Sequence, residues 1–169
     1  SRARVRPLCT PDLFQKRCRM TLTPTHHHHE TPLQRVQASF ERQGLMQHLG
    51  ARVLHATPGE CVICLPYSDK VTQQQGAFHG GAIGALADIA AGYAALTQAA
   101  HGMEVVSVEY KINFLTSRQG GELRATGRVR KAGQRIIVTS AEVMHVADNG
   151  LETLCAVLQQ TVMPVAKHY

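Results

Sequence analysis

Residues 80–100 have the sequence GGAIGALADIAAGYAALTQAA, in which Asp88 is the single charged residue. A helix with small and apolar residues around its whole circumference is buried, either in a membrane or at the centre of a globular domain. Ala and Gly are only weakly apolar, and a central carboxylate is costly in lipid. We therefore expect the core helix of a globular domain and no membrane span.

Candidate strands flank this helix on both sides. Residues 51–57 and 60–66 precede it and are joined by a Pro-Gly turn; segments 105–115, 122–130, 134–146 and 151–163 follow it, with Gly-containing turns in the gaps. Apolar residues at even positions 106–114 alternate with polar ones, which predicts one buried and one polar strand face. The predicted fold is α+β in the order β-β-α-β-β-β-β, with the last four strands as antiparallel neighbours around one long helix.

The N-terminal region is predicted to contain one short helix. Apolar residues recur at helical spacing after Pro32, which predicts an amphipathic helix that ends near Gly50. Residues 1–32 contain four prolines and no apolar period, so we expect a disordered leader or expression-derived segment, and a single domain at 33–169. The run of four histidines at 26–29 is interpreted as a flexible tail rather than a metal site.

Composition restricts the class of protein. With 169 residues, 44% of them hydrophobic, the chain has the size of one compact domain. The net charge of +6 includes +5 within residues 1–20, which leaves +1 for the remainder, and the chain has four Phe, four Tyr and no Trp. This distribution argues against a nucleic-acid partner. Five cysteines, an odd number, favour a reducing compartment, and we expect a cytoplasmic protein.

The start of the long helix is the first candidate site. Gly80 and Gly81 allow a ligand to approach the backbone, and the N–H groups and positive dipole end of a helix suit an anion or a developing oxyanion. The alternative is that both glycines only permit close packing of the helix on the sheet. Asp88, in an otherwise apolar helix, is a candidate general base or nucleophile, against the alternative of an Asp bonded to a neighbouring strand.

The spacing of these two features predicts a dimer. Asp88 lies eight residues after Gly80, which corresponds to about 12 Å along a helix axis. One chain cannot easily place both groups within about 3 Å of one reacting centre. A two-fold dimer with antiparallel helices would bring Asp88 of one subunit to the helix start of the other. We therefore expect two composite sites per dimer.

Two further features are candidate sites. Arg124, Arg128 and Arg130 share one strand face, followed by Lys131 and Arg135; they are candidate phosphate ligands, against the alternative of a solvated sheet face. Cys61 and Cys64 point to opposite faces of a strand, so we interpret them as structural rather than as half of a zinc site.

The residues around the helix start resemble those of a known family. The string 76–81, GAFHGG, followed by Leu86-Ala87-Asp88, resembles the signature of the PaaI-like acyl-CoA thioesterases of the hotdog superfamily, over about residues 33–165. The resemblance implies a hotdog fold, assembly as homodimers or homotetramers, and hydrolysis of acyl-CoA substrates without a metal or cofactor. The alternatives are a non-catalytic acyl-CoA-binding module and a dehydratase on the same fold.

The resemblance also implies roles for individual residues. The N–H of Gly80 or Gly81 would polarise the thioester carbonyl, and Asp88 of the partner subunit would activate water or attack directly. Ser107 would lie near the nucleophilic water, and His79 would shape the helix entry and the carbonyl site. The family commonly has Asn six residues before this His; here the position is Gln73, a longer amide.

Overall fold

A six-stranded antiparallel sheet packs against one long helix in the computed structural model, which describes residues 30–169. The helices are α1 (Pro32–Phe40), α2 (Gly44–Leu49) and α3 (Gly80–Leu96), and the strands are β1 (Arg52–Thr57), β2 (Glu60–Pro66), β3 (Met103–Phe114), β4 (Glu122–Ala132), β5 (Ile137–Val146) and β6 (Glu152–Ala166). The predicted α+β hotdog architecture is confirmed. Residues 1–29 of the predicted leader, including the histidine run at 26–29, lie outside the described residues, whereas Thr31 and Pro32 at its end cap and begin α1.

The order of the strands differs from the prediction in one respect. The sheet has the order β1-β2-β4-β5-β6-β3, so β3 pairs with β6 at one edge and not with β4. The prediction that the last four strands are sequential neighbours was therefore wrong for β3. The connection 115–121 is longer than most hairpin loops, and it carries the chain to β4, which pairs with β2 and β5.

The central helix is buried because its small side chains allow close contact with the sheet. Twelve of the 17 residues of α3 are buried, and most of them are Ala or Gly. The inner face of the sheet contributes larger side chains to the same core, among them Ile63, Leu65, Leu123, Val143 and Leu158. No helix among the described residues is both long enough and apolar enough to cross a membrane.

The single helix predicted between Pro32 and Gly50 is in fact two helices. Residues 41–43 interrupt it, and Gln43 has an extended backbone with φ −89° and ψ 98°. This break turns the Gln43 side chain toward α3, where its Nε2 donates a hydrogen bond to the Tyr93 hydroxyl at 2.9 Å. Gly50, in the left-handed conformation with φ 79°, ends α2 as expected.

A β-bulge breaks the alternation predicted for β3. Ser107 pairs with Val162 but Glu109 pairs with Thr161, so Val108 is an additional residue without a partner in β6. The bulge reverses which alternate residues face α3. The prediction of one buried apolar face was wrong, because four of the residues assigned to it are exposed. Their exposed fractions are 44% for Val106, 58% for Val108, 45% for Tyr110 and 54% for Phe114.

Candidate active site

His79 caps the N-terminus of α3. Its ring Nδ1 accepts a hydrogen bond from the Gly81 N–H at 2.8 Å. The backbone N–H of His79 donates a hydrogen bond to the Val71 carbonyl at 2.7 Å. A ring nitrogen accepts a hydrogen bond only when it carries no proton, so a neutral His79 in this arrangement has its proton on Nε2. The side chain and backbone of His79 together determine how the chain enters the helix.

The cap distinguishes the two glycines at the helix start. The Gly81 N–H is engaged by His79, whereas the Gly80 N–H makes no hydrogen bond within residues 30–169. A β-carbon on Gly80 would lie 3.5 Å from the Phe114 ring, which is ordinary van der Waals contact, so close packing does not require glycine there. The Gly80 N–H therefore remains available to an acceptor at the positive end of the helix dipole.

The side chain of Gln73 holds its own loop together. Its Oε1 accepts a hydrogen bond from the Gln75 N–H, and its backbone N–H donates to the Ala77 carbonyl at 2.8 Å. Gly76 completes this turn with φ 79°, a conformation that favours glycine. Gln73 thus supports the loop that leads to His79, and its amide oxygen is used inside that loop.

Asp88 is held by two polar side chains from the sheet. Its Oδ1 accepts a hydrogen bond from the Ser107 hydroxyl at 2.6 Å and a second from the Gln160 Nε2. Within the described part of the chain, Oδ2 of Asp88 accepts no hydrogen bond. The carboxylate is therefore anchored through one oxygen, and the other oxygen is left for a water molecule or a substrate.

Sequence reasoning missed Gln160 and Thr139. The Gln160 side chain is fully buried, and its Oε1 accepts a hydrogen bond from the Thr139 hydroxyl at 3.3 Å. The sequence of β6 contains an indication of this role. Every second residue of the strand faces inward, and Gln160 is the polar residue in a series otherwise made of Ala156, Leu158 and Val162. A buried amide requires hydrogen-bond partners. That position therefore indicated a polar group on the facing helix.

The β-bulge in β3 explains how Ser107 reaches Asp88. The alternation placed Ser107 on the polar face, away from the helix. Before the bulge, however, Ser107 lies on the same sheet face as its buried pairing partner Val162, and after the bulge Tyr110 and Phe114 occupy that face. Ser107 thus contacts the middle of α3, and the two aromatic residues lie opposite its first turns.

Gly80 and Asp88 lie on the same side of α3, facing β3. A β-carbon on Gly80 would contact Phe114, one on Gly84 would lie 3.7 Å from the Tyr110 hydroxyl, and Asp88 contacts Ser107. The two candidate catalytic groups are thus separated by two helical turns along one edge strand. This edge carries several exposed apolar side chains: Val106, Val108, Tyr110, Phe114 and Leu115.

A small cavity of about 60 Å³ adjoins the Asp88 carboxylate. Its lining includes Ser107, Gly92, Tyr93 and Glu104 beside Asp88. Burial raises the pKa of the Tyr93 hydroxyl above its ordinary value, so this group stays protonated and acts as a hydrogen-bond donor. The cavity is a space next to the carboxylate that a small group or water can enter.

The basic residues of β4 lie away from this carboxylate. Arg128 is on the outer sheet face, since its neighbour Gly127 faces α3, and its Nε donates to Glu60 at 2.9 Å. Arg130 donates to the Ser140 hydroxyl at 2.6 Å, and Lys131 is exposed near the turn between β4 and β5. The structure does not bring these three residues together with Gly80 or Asp88 of the same chain.

The cysteines are part of the core. Cys61 and Cys64 are both buried, and burial raises the pKa of the Cys61 thiol to about 12. Such a thiol is neutral at physiological pH and is a poor nucleophile and metal ligand. Within residues 30–169, no three side chains of His, Cys, Asp or Glu come together in a way that would hold a metal ion.

Comparison with known proteins gives consistent similarities. The family model of the thioesterase superfamily matches residues 75–151. The crystal structure of a thioesterase family protein from Silicibacter pomeroyi has a TM-score of 0.77 and 34% identity, and the match covers 80% of this chain and 98% of that one.

Two curated relatives have names that include a substrate class. The 1,4-dihydroxy-2-naphthoyl-CoA hydrolase of Listeria monocytogenes is 29% identical over 66% of this chain and 89% of its own length. The acyl-coenzyme A thioesterase PaaI of Escherichia coli is 27% identical over 66% of this chain and 79% of its own length.

Proposed function

Since this chain belongs to the thioesterase superfamily, we propose that it hydrolyses acyl-CoA thioesters to free acid and CoA. One observation carries the proposal: a carboxylate in the middle of the core helix is anchored through Oδ1 by Ser107 and Gln160, with Oδ2 left open. A carboxylate placed in this way can activate a water molecule or attack the thioester carbonyl directly, and transfer of the acyl group to water requires one of these two steps. The names of the Listeria and Escherichia relatives support CoA esters as the substrate class.

The start of α3 is the proposed carbonyl site. The Gly80 N–H would donate a hydrogen bond to the thioester oxygen, and this bond would strengthen as negative charge develops in the transition state. The positive end of the helix dipole acts in the same direction. His79 would keep Gly81 engaged and the first turn in place, and Gly81 would line the substrate path beside it.

The catalytic Asp88 is proposed to come from the partner subunit. Eight helical residues separate Gly80 from Asp88 of one chain, about 12 Å along the axis, which is too far for one thioester to meet both groups. In a homodimer with antiparallel α3 helices, each helix start would face Asp88 of the partner subunit. Each dimer would then contain two sites.

The apolar edge strand β3 is the proposed dimer interface. One edge of β3 pairs with β6, and within residues 30–169 no strand pairs with its other edge. Exposed apolar side chains lie along this edge strand, and two of them, Tyr110 and Phe114, face the same side of α3 as Gly80 and Asp88. A second copy would bury these side chains and pair the backbone groups. Pairing here would bring the two helices into proximity.

Asp88 has two possible chemical roles in this site. As a general base it would take a proton from water while the water oxygen attacks the carbonyl carbon, the C–S bond breaks, and CoA leaves as a thiolate that is then protonated. As a nucleophile its oxygen would form an anhydride and release CoA, and water would then hydrolyse the anhydride. In a single turnover in H₂¹⁸O, ¹⁸O in the Asp88 side chain would identify the anhydride route, since only water that attacks the Asp88 carbonyl of the anhydride labels that carboxylate.

The β4–β5 turn is proposed to bind the CoA phosphates. Arg128, Arg130 and Lys131 form a basic group near this turn, and Arg and Lys side chains bind phosphate oxygens. Arg128 has ion-pair partners in Glu60 and Glu142, so Arg130 and Lys131 are the better placed of the three. Replacement of both by Ala should raise KM for CoA esters and leave kcat nearly unchanged.

The primary experiment follows the release of free thiol from short-chain, medium-chain, long-chain and aryl acyl-CoA esters, with the wild-type protein and Asp88→Asn in parallel. We expect turnover of at least one ester and its loss in the variant, with equal thermal stability of both proteins. Full activity of Asp88→Asn would refute the role of Asp88. Binding of CoA esters with no thiol release would indicate a non-catalytic binding module.

A further inference from the structure

The Gln160 side chain is a polar group that the proposed chemistry does not yet use. It is fully buried on the inner face of β6, between Leu158 and Val162. A buried amide that lacks hydrogen-bond partners is destabilising, so a glutamine at this position needs its hydrogen bonds. Two of its three partners, Asp88 and Ser107, belong to the candidate site, and the third is the Thr139 hydroxyl.

The hydrogen bonds of Gln160 use the amide almost completely. One Nε2 hydrogen is directed to Asp88 Oδ1, and the other is directed to the Ser107 hydroxyl at 2.8 Å. The amide oxygen accepts from Thr139 at 3.3 Å. A carboxylate oxygen can only accept a hydrogen bond, so its contact with Gln160 requires the NH₂ end of the amide to face Asp88.

This arrangement also fixes the hydroxyl hydrogen of Ser107. The Ser107 oxygen accepts from Gln160 and, with its only hydrogen, donates to Asp88 Oδ1 at 2.6 Å. Ser107 therefore has no second hydrogen to donate to water while this bond exists. Both donors converge on the same oxygen of Asp88, which holds the carboxylate in one rotamer and directs Oδ2 away from the sheet.

We propose that Gln160 is a positioning residue, which orients the Asp88 carboxylate and the Ser107 hydroxyl so that Oδ2 faces the attacked carbonyl. The proposal rests on the proposed thioesterase function. Gln160 is fully buried, so it would act through its contacts with Asp88 and Ser107. A loss of orientation should affect the chemical step rather than substrate binding, because misplacement by about 1 Å can reduce a rate about 10²-fold.

The test compares Gln160→Met with Gln159→Met. Both remove an amide from neighbouring positions of one strand, but Gln159 is exposed and its side chain points away from α3. We expect Gln160→Met to lower kcat about 10- to 100-fold with KM within about twofold, and Gln159→Met to leave both unchanged. In an Asp88→Asn background, Gln160→Met should leave the residual rate unchanged, because the carboxylate on which it acts is absent.

The outcomes separate this inference from the proposed function. Wild-type kcat in Gln160→Met, beside an inactive Asp88→Asn, overturns the positioning role and leaves the function intact. A rise of KM with unchanged kcat also overturns it, since Gln160 would then act in binding. Full activity of Asp88→Asn instead overturns the assigned role of Asp88.

Two further measurements cover the remaining cases. If Gln160→Met does not fold, Thr139→Val removes only the donor to the amide oxygen, and a lower kcat at unchanged KM supports the same role. If no ester is hydrolysed, urea unfolding of Gln160→Met, Asp88→Asn and the double variant still tests the contact. Non-additive shifts of the urea midpoint support it, and additive shifts refute it.

Discussion

A β-carbon placed on Gly127 would lie 2.1 Å from the backbone carbonyl oxygen of Ala90. Among the described glycines, Gly127 is therefore the one at which the sheet approaches the helix backbone most tightly, and the close-packing role considered for Gly80 and Gly81 is met by β4. Gly127→Ala must displace α3 or bend β4, and we expect it to reduce the free energy of unfolding by about 1–3 kcal/mol.

Gly92→Ala is the matched control for Gly127. A β-carbon there would meet no atom within 4 Å, and Gly92 lies inside α3. Since Ala is the better helix former, Gly92→Ala should increase the free energy of unfolding by up to about 1 kcal/mol. Urea denaturation of both proteins measures the difference. Equal stability of the two variants would contradict the close contact between β4 and the helix.

The cap on α3 predicts a separate stability effect. His79→Ala removes the acceptor for the Gly81 N–H and should destabilise the protein by about 1 kcal/mol, whereas His79→Asn keeps a capping side chain and should retain most of the stability. Thermal melts of the three proteins compare these effects. If His79→Ala melts at the wild-type temperature, the hydrogen bond contributes nothing to the helix start.

The composite site can be tested by mixing two inactive variants. Asp88→Asn removes the carboxylate and Gly80→Val blocks the carbonyl site, so each homodimer should be inactive. A mixed dimer would have one intact site, built from Gly80 of one chain and Asp88 of the other. Random exchange of subunits should restore about a quarter of the wild-type sites. Absence of recovery in a mixture with demonstrated subunit exchange would show that each site uses one chain.

The edge of β3 predicts the effect of a charge on assembly. Val108, the bulge residue, is 58% exposed, and Val108→Lys places an ammonium on the proposed interface. We expect monomers in analytical ultracentrifugation and a loss of thioester hydrolysis. Ile136→Lys, at a site 50% exposed beside the β4–β5 turn, is the control and should preserve the assembly. A fully active Val108→Lys monomer would contradict the composite site.

The buried thiol of Cys61 predicts loss of stability at alkaline pH. Its pKa is raised from 9.0 to about 12, mainly by burial and further by Glu60. Folding thus favours the neutral thiol: this contribution is complete below pH 9 and is lost between pH 9 and about 12. At pH 10 the loss of stability is on the order of 1 kcal/mol. Between pH 8 and 10.5, the free energy of unfolding measured in urea should decline less steeply for Cys61→Ala than for the wild-type protein. Equal declines for the two proteins would contradict this assignment to Cys61.

The sequence was sufficient for the features set by local chemistry. The Ala-rich helix with one carboxylate and the candidate strands on both sides of it predict an α+β domain with an antiparallel sheet against one helix, because these features follow from composition and period. The hotdog fold itself was an expectation from the family resemblance of residues 76–88. The spacing between Gly80 and Asp88 can also be read directly from the chain.

Features set by contacts between distant segments were not predictable. The bulge at Val108 depends on pairing with β6, and it turns Ser107 from the presumed polar face to the helix. The position of β3 at the sheet edge depends on which strands β4 already pairs with. The alternation in β6 indicates a buried amide at Gln160, but its partner Asp88, 72 positions away in the sequence, is identified only by the packing of β6 against α3.

The hydrogen bonds from Thr139 to Gln160 and from Gln160 to Asp88 join β5, β6 and α3 in one line across the domain. A helix tied to the sheet at its midpoint cannot slide along its axis without breaking these bonds. Any adjustment to acyl groups of different size would therefore fall to the loop before α3 and to the edge strand, while the sheet and helix act as a fixed frame.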